Sequence, residues 1–169
     1  LFVEYDVQTD TRQRTLITSR VETCGMAKTI ERIGRITPWS PEAPHIYNIT
    51  ATLYETIGGN KHILDVATIR TGFRTVECSA EKGFALNGVS RKIKGVCLHH
   101  DLGMLGAAVN KAAIIRQIEL LKTMGCDAIR TAHNMPSQMQ MDVCDSLGMM
   151  VMAESFDMWI YPKCKNGYS

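Results

Sequence analysis

The residues of this chain best suited to chemistry are histidines and an arginine that follow short apolar segments. Arg130 and His133 stand at the end of one such segment, and His99 stands at the end of an earlier one. An imidazole can donate to or accept from a hydroxyl group, and a guanidinium can hold a carboxylate in its charged form. If the segments are consecutive parallel strands, these side chains line one rim of an α/β barrel, where such enzymes hold their substrates.

Helix signals between the apolar segments support this arrangement. Asn110 can cap a helix that begins at Lys111, and Gly125 suits its end. A capping box that starts at Ser137 begins a second helix, which Gly148 ends. Asn87-Gly88, between Phe84-Ala85-Leu86 and Ser90-Arg91-Lys92-Ile93, predicts a hairpin. The parallel strands are predicted at Ile93 to Leu98, from Ala128 onward, and at Met149 to Ala153. A strand–helix–strand–helix–strand order predicts parallel strands with right-handed crossovers, and three strands cannot close a barrel.

The first part of the chain, residues 1 to 77, has the period of antiparallel strands instead. Apolar and polar residues alternate from Tyr47 to Leu53, Gly58 and Gly59 mark a turn, and His62 to Ile69 returns as the next strand. A further strand is predicted at Thr15 to Thr23. Short strands separated by turns predict an immunoglobulin-like sandwich, which takes about 100 residues, so its first strands are expected to lie upstream.

Composition excludes several classes of protein. Apolar residues make up 45% of the chain, and its formal charge of +2 comes without a basic run, so no nucleic-acid partner is expected. No apolar run approaches the roughly 18 residues of a membrane span. The first residues alternate like a strand and have no signal-peptide layout. Because the chain lacks an initiator Met, we expect it to begin inside a longer protein.

Cysteines and their neighbours do not predict a metal site. The six cysteines stand singly, without a CxxC pair, so we expect free thiols. Cys97, His99, His100 and Asp101 are close in sequence, but adjacent residues of a strand point to opposite faces and cannot all reach one ion.

Several short motifs, in this order and on these predicted elements, resemble glycoside hydrolase family 2, the family of β-galactosidases, β-glucuronidases and β-mannosidases. They are Trp39-Ser40-Pro41-Glu42-Ala43-Pro44, Gly72-Phe73-Arg74, Phe84-Ala85-Leu86-Asn87-Gly88, His99-His100-Asp101, Ala128-Ile129-Arg130-Thr131-Ala132-His133 and Cys144-Asp145-Ser146-Leu147-Gly148. The ending Ala153-Glu154-Ser155-Phe156-Asp157-Met158-Trp159 is most similar to bacterial β-galactosidases.

The resemblance implies residues 1–77 as a truncated immunoglobulin-like sandwich and residues 78–169 as the first βα units of a TIM (β/α)8 barrel. It implies a retaining glycosidase that hydrolyses terminal β-D-galactosides, in which one Glu is the acid and another the nucleophile, about 5 Å apart. In the family these Glu follow the fourth and seventh barrel strands, so both are expected outside this chain. The chain alone is therefore expected to be inactive.

The resemblance also assigns substrate-binding positions, which are His99, Arg130, His133, Glu154, Asp157 and Trp159. His99 and His133 match positions that line the pocket for the non-reducing sugar. Arg130 could hold a catalytic carboxylate or form a structural ion pair, Glu154 could bind sugar hydroxyls or support Arg130, and Trp159 could stack on a sugar or pack in a loop.

No metal or other cofactor is expected. Some family members bind magnesium shortly after the third strand, where this chain has Met158 and Ile160, which cannot ligate a hard cation. The expected partner is a β-linked oligosaccharide or glycoside. The sequence leaves open a homo-oligomeric parent and a cytoplasmic or periplasmic location in a bacterium.

Two alternatives stay open from the sequence, and a third is discounted. A β-glucuronidase or β-mannosidase of the same family would share these motifs. A non-enzymatic carbohydrate-binding or scaffold module would use the sandwich alone. An unrelated α/β enzyme with a fused sandwich would require the motif matches to be chance.

Overall fold

The computed structural model of the chain describes residues 1–8 and 14–157. The chain divides into two compact units, Leu1–Trp39 with His45–Phe73, and Ser40–Pro44 with Arg74–Ser169. The predicted domain boundary between residues 77 and 78 stays a prediction, because a compact unit is not by itself an independently folding domain. In the described ranges, no helix is long and apolar enough to cross a membrane.

The described elements are ten strands, two α-helices and a short 3-10 helix at Gly103–Leu105. In chain order the strands and α-helices are β1 (Phe2–Gln8), β2 (Arg14–Arg20), β3 (Tyr47–Ile57), β4 (Asn60–Thr71), β5 (Val76–Ser79), β6 (Gly83–Leu86), β7 (Val89–Ser90), β8 (Gly95–Leu98), α1 (Lys111–Thr123), β9 (Ala128–Thr131), α2 (Gln138–Leu147) and β10 (Met150–Ala153). The structure confirms the expected order, in which antiparallel strands are followed by parallel strands that alternate with helices.

The first unit contains a four-stranded antiparallel sheet in the order β2-β1-β3-β4. Gly58 and Gly59 have φ of 58° and 84° and form the two-residue turn between β3 and β4. Positive φ at both central positions suits the twist of a tight hairpin, and glycine adopts it without steric cost. The predicted strand from Thr15 to Thr23 is shifted, since β2 runs from Arg14 to Arg20.

The two faces of this sheet differ in polarity. Ile49 on β3 lies opposite Val7 on β1 and Ile69 on β4. On the other face, Thr50 bonds Thr68 through their hydroxyls at 3.2 Å. Alternate residues of a strand point to opposite faces, so the register gives the sheet one apolar and one polar face.

A small aromatic core closes one end of the apolar face. Trp39 and Tyr47 are 3% and 4% exposed, and the rings of Tyr47 and Phe73 meet edge to face at 5.5 Å. A Cβ on Gly72 would lie 3.1 Å from the Trp39 side chain, so the glycine allows the indole to approach the backbone. The described residues of this unit form a single sheet.

The second unit begins with a three-stranded antiparallel sheet, β5-β6-β7. Asn87 and Gly88 have φ of 52° and 76°, which are the values of the predicted two-residue hairpin. The return strand is shorter than predicted, because pairing stops at Ser90.

The parallel sheet follows in the order β10-β9-β8, as the strand–helix pattern predicted. Ile129 on the central strand is 1% exposed and packs with Ile118 of α1, with Val143 and Cys144 of α2 and with Met149. Burying such a side chain is worth about 1.5–3 kcal/mol, so this cluster stabilises the packing of the helices on the sheet. Burial also raises the pKa of the Cys144 thiol to about 12, which keeps it neutral and unreactive.

The predicted helix caps are confirmed. The Asn110 side chain accepts from the Ala113 N–H at 3.0 Å, and the Ser137 hydroxyl accepts from the Gln140 N–H at 3.1 Å. Gly148 ends α2 with a left-handed φ of 73°. These caps satisfy helix-end groups that have no partner within the helix, so they fix where each helix starts and stops.

Lys122 ties three backbone carbonyls together within the second unit. Its ammonium donates to the oxygens of Leu147 at 2.5 Å, Gly148 at 3.1 Å and Pro41 at 3.1 Å. The first two carbonyls stand at the C-terminal end of α2, where carbonyls lack partners and the helix dipole favours a cation. One half-buried lysine of α1 therefore secures α2 and the segment 40–44.

We predict that Lys122→Met destabilises the protein by about 2 kcal/mol. The replacement keeps much of the aliphatic length but removes charged donors worth about 1.5–3 kcal/mol when their partners stay buried. Thermal or urea unfolding measures the effect, with Lys111→Met at the exposed start of α1 as the matched control. Equal unfolding midpoints for the two variants would show that the three hydrogen bonds contribute nothing.

Candidate functional site

Strand register places Arg130 at the centre of the candidate site. It pairs with Cys97 of β8 on one side and with Met152 of β10 on the other. The preceding residue, Ile129, belongs to the core against the helices. Because successive side chains alternate, the row of Arg130 lies on the face of the sheet away from the helices, one residue before the end of β9.

The guanidinium of Arg130 joins the three parallel strands. Its Nε donates to Glu154 Oε1 at 2.5 Å, and Nη1 contacts the Cys97 sulfur at 3.4 Å. Glu154 is the first residue after β10, so the ion pair connects the end of one strand to its neighbour. The Arg130 and Glu154 side chains are 37% and 24% exposed, which leaves both reachable from solvent.

His133 completes the cluster from the segment after β9. Its Nδ1 lies 3.0 Å from Glu154 Oε2 and 3.4 Å from Arg130 Nη2. A carboxylate only accepts, so we assign the proton to Nδ1, which donates to Glu154. The Arg130 contact then brings two donors together and is not a hydrogen bond. In the neutral imidazole, Nε2 is left as an acceptor.

His99 stands beside this cluster, immediately after β8. Its ring meets that of His133 edge to face, with the centroids 5.7 Å apart and the planes at 74°. His99 is exposed and His133 is half-buried. Four of the six predicted positions therefore come together at the carboxyl ends of consecutive parallel strands, Arg130, His133 and Glu154 through polar contacts and His99 through its ring.

The contacts define the charge state of the cluster. Partial desolvation acts to raise the pKa of Glu154, but hydrogen bonds from Arg130 and His133 outweigh it and hold this pKa below its usual value. Hydrogen bonds to Cys97 and Glu154 raise the pKa of Arg130. A general acid needs a raised pKa, so Glu154 is arranged to stay ionised and orient its neighbours rather than to donate a proton.

The two remaining predicted positions lie further along the chain. Asp157 is half-buried three residues after Glu154, and its place in a substrate site stays a prediction. Trp159 lies outside the described residues, as do Met158 and Ile160, on which the expected absence of magnesium rested.

Asp101, which the sequence places close to Cys97 and His99 in a possible metal cluster, lies in the loop after β8. Asp101 Oδ1 accepts from the Gly103 N–H at 2.8 Å, so this carboxylate caps the loop. Over residues 1–8 and 14–157, no three His, Cys, Asp or Glu side chains are grouped as a metal site would need.

The sequence did not reveal two contacts of the cluster. Cys97 touches Arg130 because the strands pair in parallel with these residues opposite one another, and sequence spacing cannot supply that register. The Thr131 hydroxyl accepts from the Glu154 N–H at 3.1 Å. Like the Cys97 contact, this hydrogen bond depends on the strand register, so sequence spacing could not supply it.

Comparison with known proteins identifies the second unit. Residues 76–159 match the family model described as glycosyl hydrolases family 2, TIM barrel domain. A β-galactosidase from Bacteroides ovatus is 46% identical over 131 residues, which are 78% of this chain and 15% of that protein. A putative β-glucuronidase from Formosa agariphila is 41% identical over 121 residues, 72% of this chain and 11% of that protein.

Solved structures agree over almost the whole length of the chain. A family 2 glycosyl hydrolase from Bacteroides cellulosilyticus is 33% identical with a TM-score of 0.79, and the match covers 98% of this chain and 21% of that one. A β-glycosidase from Bacteroides vulgatus is 37% identical with a TM-score of 0.79, over 96% of this chain and 20% of that one. The chain thus spans about a seventh or less of the curated relatives above and about a fifth of these structures. On its sequence and its fold, the chain belongs to glycoside hydrolase family 2.

Proposed function

We propose that this chain supplies part of the sugar-binding site of a retaining glycoside hydrolase that acts on terminal β-D-galactosides. The observation that carries the proposal is the cluster of Arg130, His133 and Glu154 at the carboxyl ends of consecutive parallel strands, with His99 beside it. That end of a (β/α)8 barrel is where substrates bind.

The choice of galactoside rests on similarity and on the chemistry of the cluster. The 46% identical relative is named a β-galactosidase. A galactoside presents only hydroxyl groups, which imidazoles bind in either hydrogen-bonding role. A glucuronide adds a carboxylate that needs a cationic partner of its own, and the N–H groups that Arg130 does not use on Glu154 are proposed to hold a catalytic carboxylate instead. A β-glucuronidase is the second candidate, because a 41% identical relative bears that name.

Within this function, Glu154 orients the groups around it. Its two oxygens engage Arg130 and His133 separately, which fixes the position of both side chains. With Nδ1 donating to Glu154, His133 in its neutral form offers Nε2 as an acceptor for a sugar hydroxyl. Mutation of such orienting partners lowers rate by misplacing the groups that touch substrate.

Arg130 has donors left for a second acceptor. A guanidinium carries five N–H groups, of which one is used by Glu154 and one by Cys97 among the contacts of the described residues. The others can hold a catalytic carboxylate in its ionised form, as a nucleophile requires. The two catalytic Glu residues are proposed to come from other segments of the full-length protein, about 5 Å apart on either side of the scissile bond.

The first unit is proposed to be one half of an immunoglobulin-like sandwich. Support comes from the apolar face of its sheet, where Ile69 is 58% exposed although its partner Ile49 is half-buried. A sandwich packs two such faces against each other at about 10 Å. A second sheet contributed by other residues of the protein would cover this face.

The substrate proposal is tested with His133→Ala in the full-length protein. We expect kcat/KM on an aryl β-D-galactoside to fall roughly 10- to 100-fold with little loss of folded protein, because a contact tightened in the transition state costs rate. His62→Ala, an exposed histidine of β4, is the matched control and should leave kcat/KM unchanged.

A β-glucuronidase activity, or a purely structural role for His133, would give a different result in the same assay. An enzyme that turns over the aryl β-D-glucuronide faster than the galactoside would identify the second candidate. A His133→Ala protein that unfolds, yet keeps its specific activity per folded molecule, would reduce His133 to a structural role.

The 169-residue chain alone is expected to hydrolyse no aryl β-glycoside above background. A covalent double displacement needs both a nucleophile and a proton donor, and Glu154 is engaged with Arg130 and His133 instead. Product release from chromogenic glycosides measures this, with the full-length protein as positive control. Turnover by the chain that disappears in Glu154→Gln would contradict it and make Glu154 catalytic.

The ion pair predicts a pH dependence. Because the folded-state pKa of Glu154 is lowered from 4.5, the pair stabilises the fold above that pH and its contribution is lost as pH falls through the folded value. A ¹³C-detected titration should therefore show Glu154 more than half ionised at pH 4.5, and Arg130→Gln should shift its midpoint upward. Arg116→Gln, an exposed change on α1, serves as the control. An unchanged midpoint in Arg130→Gln would mean that the pair does not set this pKa.

A further inference from the structure

The backbone around Glu154 depends on a side chain that belongs to neither the predicted nor the proposed binding set. Parallel pairing of β9 and β10 ends at Thr131 opposite Ala153, so Glu154 is the first residue beyond the ladder. The residue after β9 does not continue the pairing with β10, because the Ala132 N–H donates to the carbonyls of Leu98 and Arg130 at 3.0 and 3.1 Å. The Glu154 N–H donates instead to the Thr131 hydroxyl at 3.1 Å.

Thr131 is an unusual residue for its place. It is 1% exposed, and its row on the sheet also contains Leu98, which packs on the hydrophobic core. A hydroxyl buried among apolar groups costs free energy unless it is hydrogen-bonded. The hydrogen bond from the Glu154 N–H meets that requirement, so the buried Thr131 hydroxyl has a partner.

The geometry points to Thr131 as a positioning residue for the sugar-binding cluster. Its hydroxyl takes the place of a backbone acceptor, extends the strand pairing by one residue and fixes the backbone from which the Glu154 carboxylate reaches Arg130 and His133. This inference rests on the proposed function only for its kinetic consequence, since the hydrogen bond itself is independent of substrate.

The consequence follows from the geometry of the carboxylate. Its two oxygens meet partners on different residues, at 2.5 Å to Arg130 and 3.0 Å to His133. A small rotation of the Glu154 backbone cannot keep both distances. Releasing the Glu154 N–H should therefore loosen both side chains together, and a misplacement of about 1 Å can cost roughly 100-fold in rate.

The test compares Thr131→Ser with Thr131→Ala in the full-length protein. Both variants lose the same methyl group, and they differ only in the hydroxyl. We expect the Ala variant to exchange its Glu154 amide hydrogen faster than the Ser variant, measured by hydrogen–deuterium exchange with residue resolution. We also expect kcat/KM on an aryl β-D-galactoside to fall roughly 10- to 100-fold in the Ala variant, with the Ser variant close to wild type.

A matched pair controls for the chemical change itself. Thr123 of α1 also bonds through its hydroxyl, to the Glu119 carbonyl at 3.0 Å, but it is exposed and remote from the cluster. Thr123→Ser and Thr123→Ala should not differ in exchange at Glu154 or in kcat/KM. Circular dichroism establishes the folded fraction, so that kinetic constants refer to folded enzyme.

The outcomes separate this inference from the proposed function. Equal exchange and equal kcat/KM in the Ser and Ala variants at residue 131 would overturn the inference. So would faster exchange in the Ala variant with kcat/KM unchanged, because the hydrogen bond would then not position the site. If the wild-type protein hydrolyses no aryl β-glycoside, the proposed function fails, and the exchange measurement alone decides whether Thr131 holds Glu154.

Discussion

The parallel register of β8, β9 and β10 is the constraint on which the site depends. It places Cys97, Arg130 and Met152 in one row and Val96, Ile129 and Val151 in the next. The second row packs on α1 and α2, so burial of Ile129 determines which face Arg130 must take. Because side chains alternate along a strand, a slip of one residue would put the guanidinium among the helices and leave the apolar row exposed. Apolar packing on one face therefore positions the polar cluster on the other.

The two ends of this sheet use the same kind of ion pair for different purposes. Before the strands, Arg91 donates to Asp127 at 2.8 Å and to Glu42 at 2.8 Å, and the Lys94 N–H donates to Asp127 at 2.8 Å. The hydrogen bond from Arg91 lowers the pKa of Glu42 to about 2. In a barrel this end serves stability, whereas the carboxyl end holds the chemistry. Beyond the strands, the Arg130–Glu154 pair also contacts the His133 imidazole, the group proposed to bind a sugar hydroxyl.

Local signals in the sequence were sufficient for the helix ends, the hairpin and the strand order. Asn110, Ser137 and the Asn87-Gly88 turn act through their own backbone neighbours, so their residue types carry the information. The parallel strand–helix order follows from periodicity alone. The first and last residues of strands were predicted less accurately, since β8 begins at Gly95 rather than Ile93. A Cβ at Gly95 would lie 2.6 Å from the Ala128 carbonyl oxygen, a close approach between strands that periodicity does not report.

Contacts that depend on strand register or on residues distant in sequence could not be predicted from local sequence signals. Motif similarity brought Arg130 and His133 to one rim, but it left two roles open for Glu154, sugar binding and support of the arginine. The structure shows the ion pair between Glu154 and Arg130, and the lowered pKa of the Glu154 carboxyl explains how the pair is maintained. A carboxylate with two donor partners is held ionised, and an ionised carboxylate fixes the tautomer of the imidazole that donates to it. The sugar binding proposed for His133 then depends on a residue that need not touch the sugar, since removing Glu154 would free Nδ1 and let the acceptor and donor nitrogens exchange places.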